Sequence, residues 1–194
     1  MSLFDKLLGI FTNKDLDIFE FKSCPPGEED YSDDDLKMLI RDINTELLLG
    51  NIVLTPKIKN LNRKTIKKCR KLSKKGMVIG GSVLLKACGL LDRKTNDIDV
   101  FWDVSKAKEE GLITQDNIIN SNRDYFNTVI RHKVDLPEYG ELDIFQEDYN
   151  EEFQPSTIEG INFKNPVHTL EAKFNYHRQK DNIDFWHIKE KFNL

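Results

Sequence analysis

Between residues 33 and 49 the apolar side chains Leu36, Leu39, Ile40, Ile43 and Leu47 recur every three or four positions, which places them on one face of a helix. Ser32 stands just ahead, with Asp35 three residues on, a capping-box pattern. The helix is predicted from Asp33 to Leu49, stopping at Gly50. The period changes after Gly76. Met77-Val78-Ile79 is a short apolar run ending in Gly80-Gly81-Ser82, Val83 to Leu91 is helix-like, and Ile98 and Val100 alternate with Asp97, Asp99 and Phe101. Strands are predicted over 77–80 and 97–102. The polar stretch 103–124 is expected to be helical in part, over Ser105–Glu110 and Gln115–Asn120. Two more strands are read at 125–134 and 141–146, joined by Asp135-Leu136-Pro137-Glu138-Tyr139-Gly140. After Asn165 two helices are predicted, with Val167, Leu170, Phe174 and His177 on one face of the first. At the other end, Leu3, Phe4, Leu7, Leu8 and Phe11 form an amphipathic helix expected to pack on the body, and Pro25-Pro26-Gly27 marks a turn or linker.

The 194 residues, 39% hydrophobic and 32% charged, describe one globular core with room for a small appendage. No apolar run approaches the roughly 18 residues that span a bilayer, so no membrane partner is expected. The first residues lack a cationic start and a small-residue cleavage site, so no signal peptide is read. Three scattered cysteines (Cys24, Cys69, Cys88) suit neither a disulfide framework nor a CxxC zinc site, and a cytoplasmic location is expected. The four histidines have no zinc-ligand spacing, and the Rossmann and P-loop glycine motifs are missing.

Charge is unevenly spread. The net charge of −4 and pI near 5.6 argue against indiscriminate nucleic-acid binding. Yet Lys57 to Lys75 carries ten cations and no acid, and leads straight into the Gly80 strand, so it is expected near the same cleft. Two readings stay open: a track for a phosphate backbone such as that of tRNA, or a solvated lysine face.

The candidate chemistry lies between Met77 and Trp102. Paired glycines at a strand end let the backbone turn sharply and approach a ligand, because no Cβ intervenes. Amides opening the next helix suit a phosphate, and Ser82 adds a hydroxyl. Asp97 and Asp99, two apart on a predicted strand, share one face and make a hard-oxygen site suited to Mg²⁺.

Gly80-Gly81-Ser82, a helix, then Arg93-x-Thr95-x-Asp97-x-Asp99 resembles the nucleotidyltransferase fold of the DNA polymerase β superfamily, most of all the small bacterial branch that includes the AbiEii abortive-infection toxins. This core covers residues 77–102. Near the C terminus, Leu170-Glu171-Ala172-Lys173-Phe174, then Arg178, then Lys180-Asp181-x-x-Asp184 is similar to that branch's EKL…R…RD…D block. Lys180 stands where the branch usually has Arg, which keeps the charge but not the forked hydrogen bonding.

The resemblance implies an α/β (α+β) nucleotidyltransferase fold, with a mixed, mostly antiparallel sheet of 77–80, 97–102, 125–134 and 141–146 flanked by N- and C-terminal helices. A helical segment over 1–50 would pack on a core over 51–194. It further implies transfer of an NMP from an NTP to a hydroxyl acceptor. Asp97, Asp99 and a third carboxylate, Asp143, would hold two Mg²⁺ ions, with Mn²⁺ able to substitute. Gly80, Gly81 and Ser82 would cradle the phosphates, and Arg93, Lys173 and Arg178 would neutralise them. Asp181 or Asp184 would be a further catalytic-site carboxylate or an anchor for Lys173. The implied partners are an NTP, RNA such as the tRNA 3′ end, and a protein antitoxin. A protein or small-molecule acceptor is the alternative, as is an inactive nucleotide- or RNA-binding module.

Overall fold

The computed structural model describes residues 33–95, 97–123, 130–146, 155–176 and 179–194. The chain divides into Met1–Asp30 and Tyr31–Leu194. The first unit, with the amphipathic helix and linker expected there, lies outside the described residues, as does Ser32 of the expected capping box.

Helix α1 spans Asp33–Leu48, and Leu39 and Ile43 of its apolar stripe are buried. It belongs to the larger unit, sharing a cluster with Leu85, Leu90, Leu91, Leu170, Phe185 and Ile188. A 3₁₀ turn at Ile58–Asn60 leads into α2 (Arg63–Lys74), where Asn62 caps the N terminus by accepting from the Thr65 amide at 2.9 Å. Strand β1 (Val78–Ile79), helix α3 (Gly81–Ala87) and strand β2 (Ile98–Trp102) follow in the expected order. Then come α4 (Val104–Glu109), β3 (Ile118–Arg123), β4 (Ile130–Leu136), β5 (Gly140–Gln146), β6 (Ser156–Ile158), β7 (Ile161–Phe163), α5 (Pro166–Tyr176) and α6 (Gln179–Phe192).

Two stretches differ from the sequence reading. Gln115–Asn120, expected to be helical, is a turn running into β3. The Asn117 side chain accepts from the Thr114 amide (2.9 Å) and donates to the Leu112 carbonyl (3.1 Å), so it closes a turn that competes with a helix. β3 then pairs with β4. The hairpin β6–β7 went unread. Its two turn residues, Glu159 and Gly160, take φ of 48° and 80°, the positive values that a two-residue hairpin favours. The strand expected over 125–134 is described from Ile130 onward and extends to Leu136.

Among the described residues, seven strands form one mixed sheet in the order β3-β4-β5-β2-β1-β7-β6, with four antiparallel and two parallel pairings. Alternation gives this sheet two chemically different faces. Ile79, Ile98, Val100, Val134, Leu136, Leu142, Ile144 and Phe163 enter one core cluster, into which α2 inserts Cys69 and Leu72. The opposite positions on β2, β5 and β4 are Asp99 and Phe101, Asp143 and Phe145, and Arg131 and Lys133.

Candidate functional site

The parallel pairing of β2 with β5 puts Asp99 and Asp143 in register, so two carboxylates stand side by side one strand spacing apart, roughly 5 Å. The glycine turn between β1 and α3 presses against them. The Gly80 amide donates to the Asp99 carbonyl at 3.0 Å. Gly81 has φ +55°, and a Cβ there would lie 1.5 Å from Asp99 Oδ2; a Cβ on Gly80 would lie 2.4 Å from the Phe101 ring. Both positions are therefore closed to any side chain, for reasons the strand-and-turn pattern alone does not contain.

Asp143 is buried, 4% exposed. Its Oδ2 accepts from Arg131 Nη2 at 2.8 Å, while its Oδ1 and the Arg131 Nε, both buried, have no hydrogen-bond partner among the described residues. A buried carboxylate oxygen without a donor costs on the order of 1–3 kcal/mol or more, and it is a place where a cation fits. Asp97 lies in the bend before β2, half-buried, its negative charge felt by Arg93 and Lys133. Among the described residues no group of three or more His, Cys, Asp or Glu side chains is arranged to hold a metal ion; of the expected triad, Asp99 and Asp143 are register partners and Asp97 precedes β2 in the chain.

A second constellation joins α3 to the C-terminal helices. Lys173 of α5, 5% exposed, donates to Asp181 (2.5 Å) and pairs with Asp184 (2.7 Å) of α6. Arg93 then grips Asp184 with two arms, Nε to Oδ1 and Nη2 to Oδ2, each 2.8 Å, and its Nη2 also donates to Ser82 Oγ at 3.2 Å. Burial pushes the Asp184 carboxyl up, but the Arg93 hydrogen bonds and the Lys173 charge outweigh it and hold it below the ordinary carboxylate range. The same hydrogen bonds raise Arg93. Five of the expected site residues (Ser82, Arg93, Lys173, Asp181 and Asp184) thus meet in one network, in which the Lys173 ammonium is spent on two interior carboxylates. Arg178 lies outside the described residues.

Three features of the carboxylate face escaped sequence reasoning. Arg131 is one. The others are the stacked rings of Phe101 and Phe145, 5.0 Å apart, and Lys164, whose Nζ sits 4.0 Å above the Phe101 ring. Phe101 and Phe145 follow from the same two-residue alternation that carries Asp99 and Asp143. Arg131 needed the β4–β5 register.

The basic stretch falls elsewhere than expected. Because α2 packs on the apolar face of the sheet, it lies opposite the carboxylates. Four of its cations are committed: Lys68 to the Tyr139 carbonyl, Lys71 to Glu138, Arg70 to the Glu159 carbonyl (3.0 Å) and Lys75 to Glu110 (2.7 Å). Among the described residues, Arg63, Ile66, Lys67, Arg70, Lys71 and Lys74 line an open hollow of about 520 Å³. Cys69 and Cys88 are free thiols that burial pushes up to about 12, so both stay protonated at neutral pH. No helix among the described residues is long and apolar enough to cross a membrane.

No protein-family model matches the chain, and no curated protein matches it either. Among solved structures, the crystal structure of an antigenic nucleotidyltransferase-like protein from Paracoccidioides brasiliensis is similar at 15% identity, over 64% of this chain and 72% of that one, with a TM-score of 0.30. At that score the likeness decides nothing about this chain's fold or activity.

Proposed function

We propose that the chain is a metal-dependent nucleotidyltransferase that moves an NMP from an NTP to a hydroxyl acceptor. The observation that carries the reading is the in-register pair Asp99–Asp143 with a buried carboxylate oxygen, Asp143 Oδ1, that has no donor among the described residues. Asp99 and Asp143 would hold Mg²⁺ or Mn²⁺, with Asp97 in the adjoining bend as the third carboxylate that the resemblance assigns; the bound cation supplies charge neutralisation at the reacting phosphate. The protein's own contribution is orientation. Gly81 lets the turn backbone come right up to Asp99, and Gly80 lets it come up to Phe101, where a side chain would collide with them. Arg93 carries a fixed positive charge into the region of Ser82, and Asp184, Asp181 and Lys173 lock its guanidinium so that little rotamer freedom is lost when phosphate arrives. Asp143 would also help take up the proton of the attacking hydroxyl.

RNA, including the tRNA 3′ end, is the acceptor that the resemblance favours. Arg63, Lys64, Lys67 and Lys74 of α2, for which no ion pair is found among the described residues, offer phosphate contacts on the far face of the sheet. An antitoxin partner and a cytoplasmic location belong to the same reading.

The test is incubation with each NTP radiolabelled at the α-phosphate, Mg²⁺, and total tRNA or cell lysate, for wild type and Asp99→Ala. Label on RNA from wild type alone supports the proposal and names the base, with a loss in the variant of roughly a hundredfold or more. Label on protein moves the acceptor to a side chain. NTP binding without transfer to any pool sinks the enzyme reading and leaves a binding module.

A further inference from the structure

We propose that Arg131 is a built-in counter-cation of the carboxylate pair, holding Asp143 in the metal-free protein and competing with a divalent cation for it. This rests on reading Asp99 and Asp143 as a cation site. Arg131 stands on β4, two residues from Lys133, which is the register partner of Asp143. Its guanidinium reaches Asp143 with one arm: Nη2 meets Oδ2 at 2.8 Å, while Nε and Oδ1 find no partner among the described residues. Arginine and carboxylate bind most strongly as a two-armed fork, the form that Arg93 and Asp184 use in this same molecule. The Arg131–Asp143 contact is thus an ion pair left half-made at its buried end.

The two partners are unequally placed. The Asp143 side chain is 5% exposed and cannot leave its strand face, whereas the Arg131 side chain is 31% exposed and has water within reach. Releasing Arg131 costs it little solvation, while Asp143 without any counter-charge would be a buried, lone carboxylate. Lys133, the register partner of Asp143, shares its field but is engaged by Glu141 at 2.7 Å. Arg131 is the cation hydrogen-bonded to Asp143, so it is the one a divalent ion, which can take Oδ1 as well, would displace.

The experiment is a Mn²⁺ titration of the full chain by calorimetry and electron paramagnetic resonance, without nucleotide. It compares wild type, Arg131→Met, Arg131→Gln, Arg131→Lys, Lys133→Met and Asp143→Ala. Thermal melting is recorded with and without the ion. Arg131→Met is expected to bind Mn²⁺ on the order of fivefold more tightly, the worth of a half-exposed ion pair. Arg131→Lys should return toward wild type, Lys133→Met should change affinity much less, and Asp143→Ala should lose the site. Metal-free Arg131→Met should melt below wild type and gain more from Mn²⁺. A merely structural arginine would weaken binding when removed. Arg131→Gln keeps a donor for Asp143 and serves if the methionine variant does not fold. Equal or weaker affinity in the folded variants, with wild type binding normally, overturns the role of Arg131 and leaves the cation site standing. Absence of binding in every variant, or binding that survives Asp143→Ala, overturns both.

Discussion

Asp143 and Asp184 are both buried aspartates facing an arginine, yet their surroundings are opposite. Asp184 sits in a closed account of charge: two carboxylates, Asp181 and Asp184, against one ammonium and one guanidinium, with Arg93 binding through both arms. Asp143 shares its face with Asp99 and meets a single arm of Arg131, with one oxygen left over. The balanced cluster ties helices together and, in the proposed reading, holds the Arg93 guanidinium ready for a phosphate. A buried carboxylate oxygen without a donor is costly unless something positive arrives. One arrangement positions a cationic side chain and the other offers an oxygen to a cation, though both are built from the same residue types.

Breaking the balanced side should have the largest effect on stability. Asp184→Asn leaves Lys173 and Arg93 facing one carboxylate inside the protein and is expected to cost about 3 kcal/mol or more, read as a lower melting midpoint in denaturant. Next comes the glycine turn. Gly81→Ala forces a left-handed backbone onto alanine and drives a Cβ into Asp99, for a loss of roughly 2–4 kcal/mol and a collapse of Mn²⁺ binding in whatever fraction folds. Should Gly81→Ala melt like wild type, the close approach of Asp99 to the turn is wrong.

The smallest effect is a pH dependence that belongs to the balanced side. The Asp184 carboxyl is held below its unfolded value of 3.8, so the unfolded chain takes up this proton first. Its contribution is therefore complete above pH 3.8 and fades as pH falls through the lower folded value. The stability gap between wild type and Asp184→Asn should be flat from pH 7 down to that point and should close below it. A gap that widens as pH falls below 6 would show Asp184 to be raised rather than lowered.

Much of this was legible along the chain. The three- and four-residue recurrence of Leu39 and Ile43 announced α1, and the alternation of Ile98 and Val100 with Asp99 announced β2 with its polar face. Lys173, Asp181 and Asp184 stand out along the chain as charges in a half-apolar helical stretch, but only the packing of α5 on α6 brings them into one buried network. The turn at Asn117 was not, since Gln115–Asn120 carries no strong period and a side-chain hydrogen bond decided it. Nor was the Glu159–Gly160 hairpin, whose strands are three residues each and too short to alternate clearly.

Local pattern, then, determined which residues form helices and strands and which side of each strand carries acid, because the 3.6- and two-residue periods act within a few neighbours. Tertiary structure alone decided that β5 lies beside β2 with Asp143 level with Asp99, that Arg131 reaches Asp143, and that the basic helix packs on the other face of the sheet. Strand order and register are chosen by burial of the whole apolar face, and no segment of the chain contains that sum.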